Sequence, residues 1–138
     1  MCCRHFDGSG PLGFVGKKGA ILGVGIDCTG TFCEGEPSSV AVKRATDNKL
    51  LCPPVVLEGG VATKEKSDYW RKVHIKFDIE KMEVDVTIGG QQVLKDVKID
   101  LGEGVKLPKV VCIGVCAGTA GGFNNQICIN KLKLKSEE

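Results

Sequence analysis

Long apolar runs, helical periodicity, clustered charge and paired histidines are all missing from this 138-residue chain, and each absence removes a class of protein. The longest apolar stretch, 110-VVCIGVCA-117, falls well short of the roughly 20 residues that cross a bilayer as a helix, so a soluble chain without membrane insertion is expected. No window of about eleven residues carries a convincing 3.6-residue period, which argues against a helical fold. Lys and Arg total 19 against 17 for Asp and Glu, and the basic residues are spread along the chain. Neither nucleic acid nor an anionic membrane is therefore an expected partner. The two histidines, His5 and His74, are isolated, and there is neither a Gly-x-Ser-x-Gly elbow nor a CxxC pair. Signals of a nucleophilic triad and of a zinc site are thus absent. The opening 1-MCCRHFDGSG-10 has no apolar segment that would read as a signal peptide, so a mature or cytosolic chain, or one whose beginning is missing, is expected.

What is present points to strands. Short Val/Ile-rich runs alternate with polar residues among 19 glycines, so the chain reads as all-β and most simply as one domain, residues 1–138. The clearest segment is 73-VHIKFDI-79, with Val73, Ile75, Phe77 and Ile79 on one face. Met82, Val84, Val86 and Ile88 repeat the pattern after only Glu80 and Lys81, which predicts a tight hairpin. Glu83, Asp85 and Thr87 then sit across from Lys76 on the outer face. Further strands are predicted near 20–26, 39–44, 92–99, 109–116 and 126–134. The Gly-rich lead-in, residues 1–19, ends in 8-GSGPLGFVGKKG-19, which lacks the Lys-Ser/Thr ending of a phosphate loop and reads as loop. Residues 45–69, with a double proline and a double glycine, read as a long irregular connection holding one short strand at Val55–Leu57. Trp70 opens an alternating apolar face and is assigned to the core.

Eight cysteines permit a disulfide framework in an oxidising compartment. Cys112 and Cys116, four residues apart on one strand face, are about 13 Å apart and cannot bridge each other. Cys28 and Cys33 could meet if their turn closes a hairpin. Small buried or free thiols are the favoured reading. Asp27, Glu34 and Glu36 could gather in one loop, but exposed acids are usually solvated, and no enzyme is expected. Asp27 itself reads equally well as a metal ligand and as a carboxylate that accepts N–H bonds in its own turn.

The string 21-ILGVGIDCTGTF-32 followed by 37-PSSVAVKRA-45 resembles the L-type (legume-lectin-like) lectin domains, in which a Leu-Gly-Val-Gly-Leu-Asp strand leads through a Gly-Asn-Phe turn into a Ser-Val-Ala-Val strand. The second half is similar too. There 70-WRKVHIKFD-78 resembles the family's Trp-x-x-Val-x-Ile strand, 100-DL-101 its Asp-Leu, and 113-IGVCAGTAGGFNNQICIN-130 its Gly-Phe-Ser-Ala-x-Thr-Gly loop and closing strand. The likeness runs from about Leu12 to Leu134. It implies a concanavalin A-like jelly-roll sandwich of two antiparallel sheets, topped by loops that hold metal ions and a sugar, with a glycan or glycoprotein as partner. Residue by residue, Asp27 matches the first metal-binding aspartate and Glu34 stands where the second loop acid lies, which implies a Ca²⁺ site. Gly25 occupies the place of a metal-ligating glutamate, Thr31 that of an asparagine contacting calcium and sugar, and Ser39 that of a histidine ligand. A transition metal is therefore not expected. Thr119, Gly121, Gly122, Phe123 and Asn124, in the loop 118-GTAGGFNNQ-126 that matches the sugar-size-setting loop, join Asp27 and Thr31 as expected carbohydrate contacts.

The chain departs from the family in lacking its first strands, and Asp7-Gly8 lies too close to the Asp27 loop to supply the family's sugar-binding Asp-Gly. Missing strands leave sheet edges open, so another chain or copy covering them is expected. The functional expectation is a non-enzymatic carbohydrate-binding domain, secreted or on the cell surface. The alternative is a degenerate lectin fold acting as a cytosolic structural module in a larger assembly.

Overall fold

The computed structural model describes residues 19–60 and 72–115. Over these residues the chain is all-β, with six strands in two three-stranded antiparallel sheets and no helix. The first sheet contains β1 (Leu22–Asp27), β2 (Ser39–Arg44) and β3 (Val55–Val56), in that order. The second contains β4 (Val73–Asp78), β5 (Glu83–Ile88) and β6 (Gln91–Lys98), also in sequence order. Predicted strands at 20–26, 39–44, 55–57 and 92–99 are found within two residues of their expected bounds.

Alternation decides what each strand buries. Val40 and Val42 of β2, with Leu57 just past β3, meet Val84, Val86 and Ile88 of β5 and Leu94 and Val97 of β6 in one apolar cluster. Leu22, Val24 and Ile26 of β1 pack against its side. The two sheets therefore share one core. β2 is buried along its whole length, because its other face, bearing Ser39, Ala41 and Lys43, is covered as well. There Ala41 stands opposite Gly25 and Ser39 opposite Asp27, and Phe32, Cys33 and Ala41 form a second cluster.

In the second sheet Lys76 lies across from Asp85, as expected, and Val73, Ile75 and Phe77 oppose Ile88, Val86 and Val84. The hairpin differs from its prediction. Residues 79–82 all lie in the connection, because the Asp78 carboxylate accepts the Lys81 N–H at 2.9 Å and Met82 turns the chain back with a positive φ of 53°. β6 carries two register shifts against β5. At one of them Asp96 adopts φ 50° and gives its N–H to the Asp85 carboxylate at 2.7 Å, so Leu94 and Val97, three apart in sequence, both face inward.

The predicted strand at 109–116 is not formed over its described part, residues 109–115. Val110, Val111, Ile113 and Val115 are all exposed there. A run apolar at both parities suits burial on two faces, and the described residues supply neither. For the connection 45–69, residues 45–60 hold only β3 and a single bridge from Lys43 to Leu50. The predicted strand at 126–134, the lead-in 1–18, residues 61–69, Trp70 and Cys116 lie outside the described residues.

Candidate functional site

The candidate site grows from the end of β1. Asp27 points to the face of the first sheet away from the shared core, and its side chain is 0% exposed. One carboxylate oxygen, Oδ1, accepts the Thr29 N–H at 2.9 Å and the Thr29 hydroxyl at 3.2 Å. Oδ2 accepts the N–H groups of Phe32 at 2.6 Å and Cys33 at 3.0 Å. A carboxylate offers about four lone-pair sites, and here all are used within the loop. Burial alone would raise the Asp27 carboxyl, but backbone N–H donors from Cys33, Thr29, Phe32 and Gly30 outweigh it and hold the group below its ordinary value.

These bonds draw residues 28–36 back over the sheet. Gly30 sits at φ 86° and accepts the Gly35 N–H at 2.8 Å. A Cβ at Gly30 would stand 2.8 Å from the Gly35 carbonyl carbon, so this turn is closed to other residues. Phe32 then lies on Gly25, where an added Cβ would fall 2.2 Å from the ring. The ring fills the space that a side chain at Gly25 would take. Lys43, 1% exposed, places its ammonium 5.4 Å from the Phe32 ring centroid and 3.3 Å from the Glu34 carboxylate, a cation–π and ion-pair arrangement that seals the loop.

Three of the sequence-derived site residues are therefore close in one loop, but in different roles. Asp27 faces inward and folds the loop. Thr31 is exposed, its hydroxyl 2.9 Å from that of Thr29. Glu34 turns to Lys43. Ser39, at the family's histidine position, is buried and donates its hydroxyl to the Glu36 carbonyl. A calcium ion on Asp27 would have to displace its present donors. No group of three His, Cys, Asp or Glu side chains suited to a metal occurs among the described residues. Cys28 and Cys33 are free thiols, as are Cys52 and Cys112, and burial pushes the thiols of Cys28, Cys33 and Cys52 up, away from a reactive thiolate. Thr119, Gly121, Gly122, Phe123 and Asn124 lie outside the described residues.

Two further features were not anticipated from the sequence. Arg44 at the end of β2 gives paired bonds to Asp47, 2.9 and 2.6 Å, and two to Asp100 beyond β6, to its carboxylate at 2.7 Å and its carbonyl at 3.2 Å, tying the two sheets at one end. The Arg44 hydrogen bonds hold the Asp47 carboxyl down at about 2. Because the folded value lies below the ordinary 3.8, this stabilisation is complete above that value and is lost as the pH falls toward about 2. Asp47→Asn is accordingly expected to flatten the acid limb of a urea-midpoint profile between those two values and to leave the slope near neutrality unchanged. The other feature is apolar: on β4, Val73, Ile75 and Phe77 remain 42%, 38% and 44% exposed. Periodicity marks their face but carries no signal of whether anything covers it. A groove of about 220 Å³ lies between β3 and β6, lined by Val55, Leu57, Glu58, Ile88, Gln91 and Gln92, with no pair of groups fitted for acid–base work.

Comparison with known proteins finds no matching family model, no significant match among curated proteins and none among solved structures.

Proposed function

We propose that this chain is a non-enzymatic concanavalin A-like jelly-roll sandwich that serves as a structural protein–protein interaction module. The observation carrying this reading is the half-exposed apolar stripe of Val73, Ile75 and Phe77, placed on the same face as the buried Val84, Val86 and Ile88. It continues the core surface outward, and such patches mark docking sites. The inward use of Asp27 and the engagement of Glu34 with Lys43 support it further, because they occupy the two acids that the resemblance offers as metal ligands. Cytosolic placement suits this role. A photo-crosslinking side chain at position 75 or 77 is expected to capture protein in the expressing cell, whereas the same group at exposed Lys95 is not. Equal capture from all three positions would contradict the reading.

A second reading, carbohydrate binding by a secreted or surface protein, is favoured by the exposed Thr29 and Thr31 hydroxyls at the loop tip and by the resemblance to L-type lectins. It would recruit Thr119, Gly121, Gly122, Phe123 and Asn124 from the later loop. Calcium-dependent glycan-array binding that is lost on Thr31→Ala would place this reading first.

A further inference from the structure

We infer that the partner docking on β4 is a second copy of this chain, paired strand to strand about a two-fold axis through Ile75; the inference rests on the interaction reading above. Edge strands are usually blunted. β3 is two residues long and follows Pro53-Pro54, and β6 is interrupted by two register shifts and carries Lys95, Asp96 and Lys98. β1 has an unbroken ladder with β2, but its Leu22, Val24 and Ile26 are partly buried against the core; β4 has an uninterrupted ladder with β5. Among the described sheet edges, only β4 joins an unbroken register of this length to large apolar side chains exposed by about two-fifths.

The backbone fixes which groups face outward. Gly89 donates its N–H to the Lys72 carbonyl at 2.9 Å, so Lys72 and Gly89 form a hydrogen-bonded pair. By the alternation of an antiparallel ladder, His74, Lys76 and Asp78 direct their backbone groups to β5, and Val73, Ile75 and Phe77 direct theirs to the edge that no described strand pairs.

A second β4, antiparallel and centred on Ile75, satisfies that edge. Ile75 meets Ile75 of the other copy, and Val73 meets Phe77 on either side. Each of these three pairs exchanges two N–H···O bonds, about six in all. The apolar stripe becomes continuous across the joined sheets. On the opposite face Lys72 comes to lie across from Asp78 twice, adding a second cation to a carboxylate that already holds the Lys81 N–H and ammonium, and His74 lies across from Lys76, whose own-chain neighbour is Asp85. Moving the axis by one residue, to Lys76, sets Val73 against Ile79, which lies in the turn, and keeps two bonded apolar pairs instead of three, so the Ile75 register is preferred.

The test is light scattering of the purified 138-residue chain from micromolar to several hundred micromolar. A reversible dimer is expected, weakened about tenfold in Kd by Lys72→Asp and left near the wild-type value by Lys72→Arg. With a mild thiol oxidant, Ile75→Cys is expected to crosslink above the wild-type background, since facing Cα atoms in such a pair lie about 5.5 Å apart. Val73→Cys is not, since its copies would stand about 14 Å apart. A dimer that ignores Lys72→Asp, or that crosslinks as well from position 73, overturns the register and with it the inference. A protein that is monomeric throughout also overturns it. In that case, capture of a different protein from positions 75 and 77 in cells leaves the interaction reading standing, and capture from neither removes both.

Discussion

Asp27→Ala is expected to cost on the order of 3–5 kcal/mol, because four hydrogen bonds to a buried charge disappear together and three backbone N–H groups are left without their acceptor. Individual bonds to charged groups are worth about 1.5–3 kcal/mol, and their losses within one network do not add. For a domain whose whole stability is about 5–15 kcal/mol, that is enough to unfold a large share of molecules on mild heating. Asp27→Asn keeps one acceptor oxygen but turns an NH₂ group toward N–H donors, so it should recover little. The wild-type acid limb carries the same signature. Since the folded Asp27 carboxyl titrates below the ordinary 3.8, its stabilisation is complete above that value and fades as the pH falls below it. Asp27→Ala should therefore lose stability at neutral pH while losing less on acidification than wild type. Urea midpoints across that pH range give both quantities.

The second large effect is a reversal of sign. Phe32 is 1% exposed, and Phe32→Ala should cost about 3–5 kcal/mol as its cavity opens. Gly25→Ala in the wild type drives a methyl group to 2.2 Å from the ring, so the ring must leave its seat, at about 1–3 kcal/mol. In the Phe32→Ala background that obstacle is gone. The added methyl then occupies vacated space, and a strand glycine replaced by alanine gains roughly 0.5–1 kcal/mol. Gly25→Ala is thus expected to be destabilising alone and neutral or stabilising in the double variant. Simple additivity in the double-mutant cycle would mean that Phe32 does not rest on Gly25.

Much of the strand layout was legible because alternation is a direct consequence of pleating. Val73 to Asp78 and Glu83 to Ile88 announce themselves in this way, as does the pairing of Lys76 with Asp85. The ends of the hairpin were not. Ile79 and Met82 continue the period on paper, yet the Asp78 bond to the Lys81 N–H takes the intervening residues into a turn. The register shifts in β6 depend on one contact, between Asp85 and the Asp96 N–H, that no local pattern encodes. At 109–116 an apolar run was read as a strand, and over 109–115 none forms, because pairing requires neighbours that a sequence does not list.

The site shows the same division. That Asp27 accepts N–H bonds in its own turn was one of its two readings from sequence, and the Thr29 bond is of that local kind. Its bonds to Phe32 and Cys33 span five and six residues and depend on the ring finding room. That room was visible in retrospect: Gly23, Gly25 and Ala41 are small residues at alternate positions of paired strands, on one face. A stripe of small residues opposite a phenylalanine-bearing turn is a packing signal. The partial exposure of Val73, Ile75 and Phe77 on β4 had no such signal, because the same stripe would read identically if it were covered.

The proposed role divides the molecule into an acid turned inward and an edge turned outward, and the inward half is the part that a single spectrum can test. Following the carboxyl-carbon NMR shift of Asp27 through an acid titration, once in EDTA and once in millimolar calcium, measures what this group binds. The expected result is a midpoint below the ordinary carboxylate value, the same in both buffers, with the Phe32 and Cys33 amide signals unmoved by calcium. A calcium-dependent shift of Asp27 and of those two amides at neutral pH would contradict it, and would return the loop to service as a metal-organised glycan site.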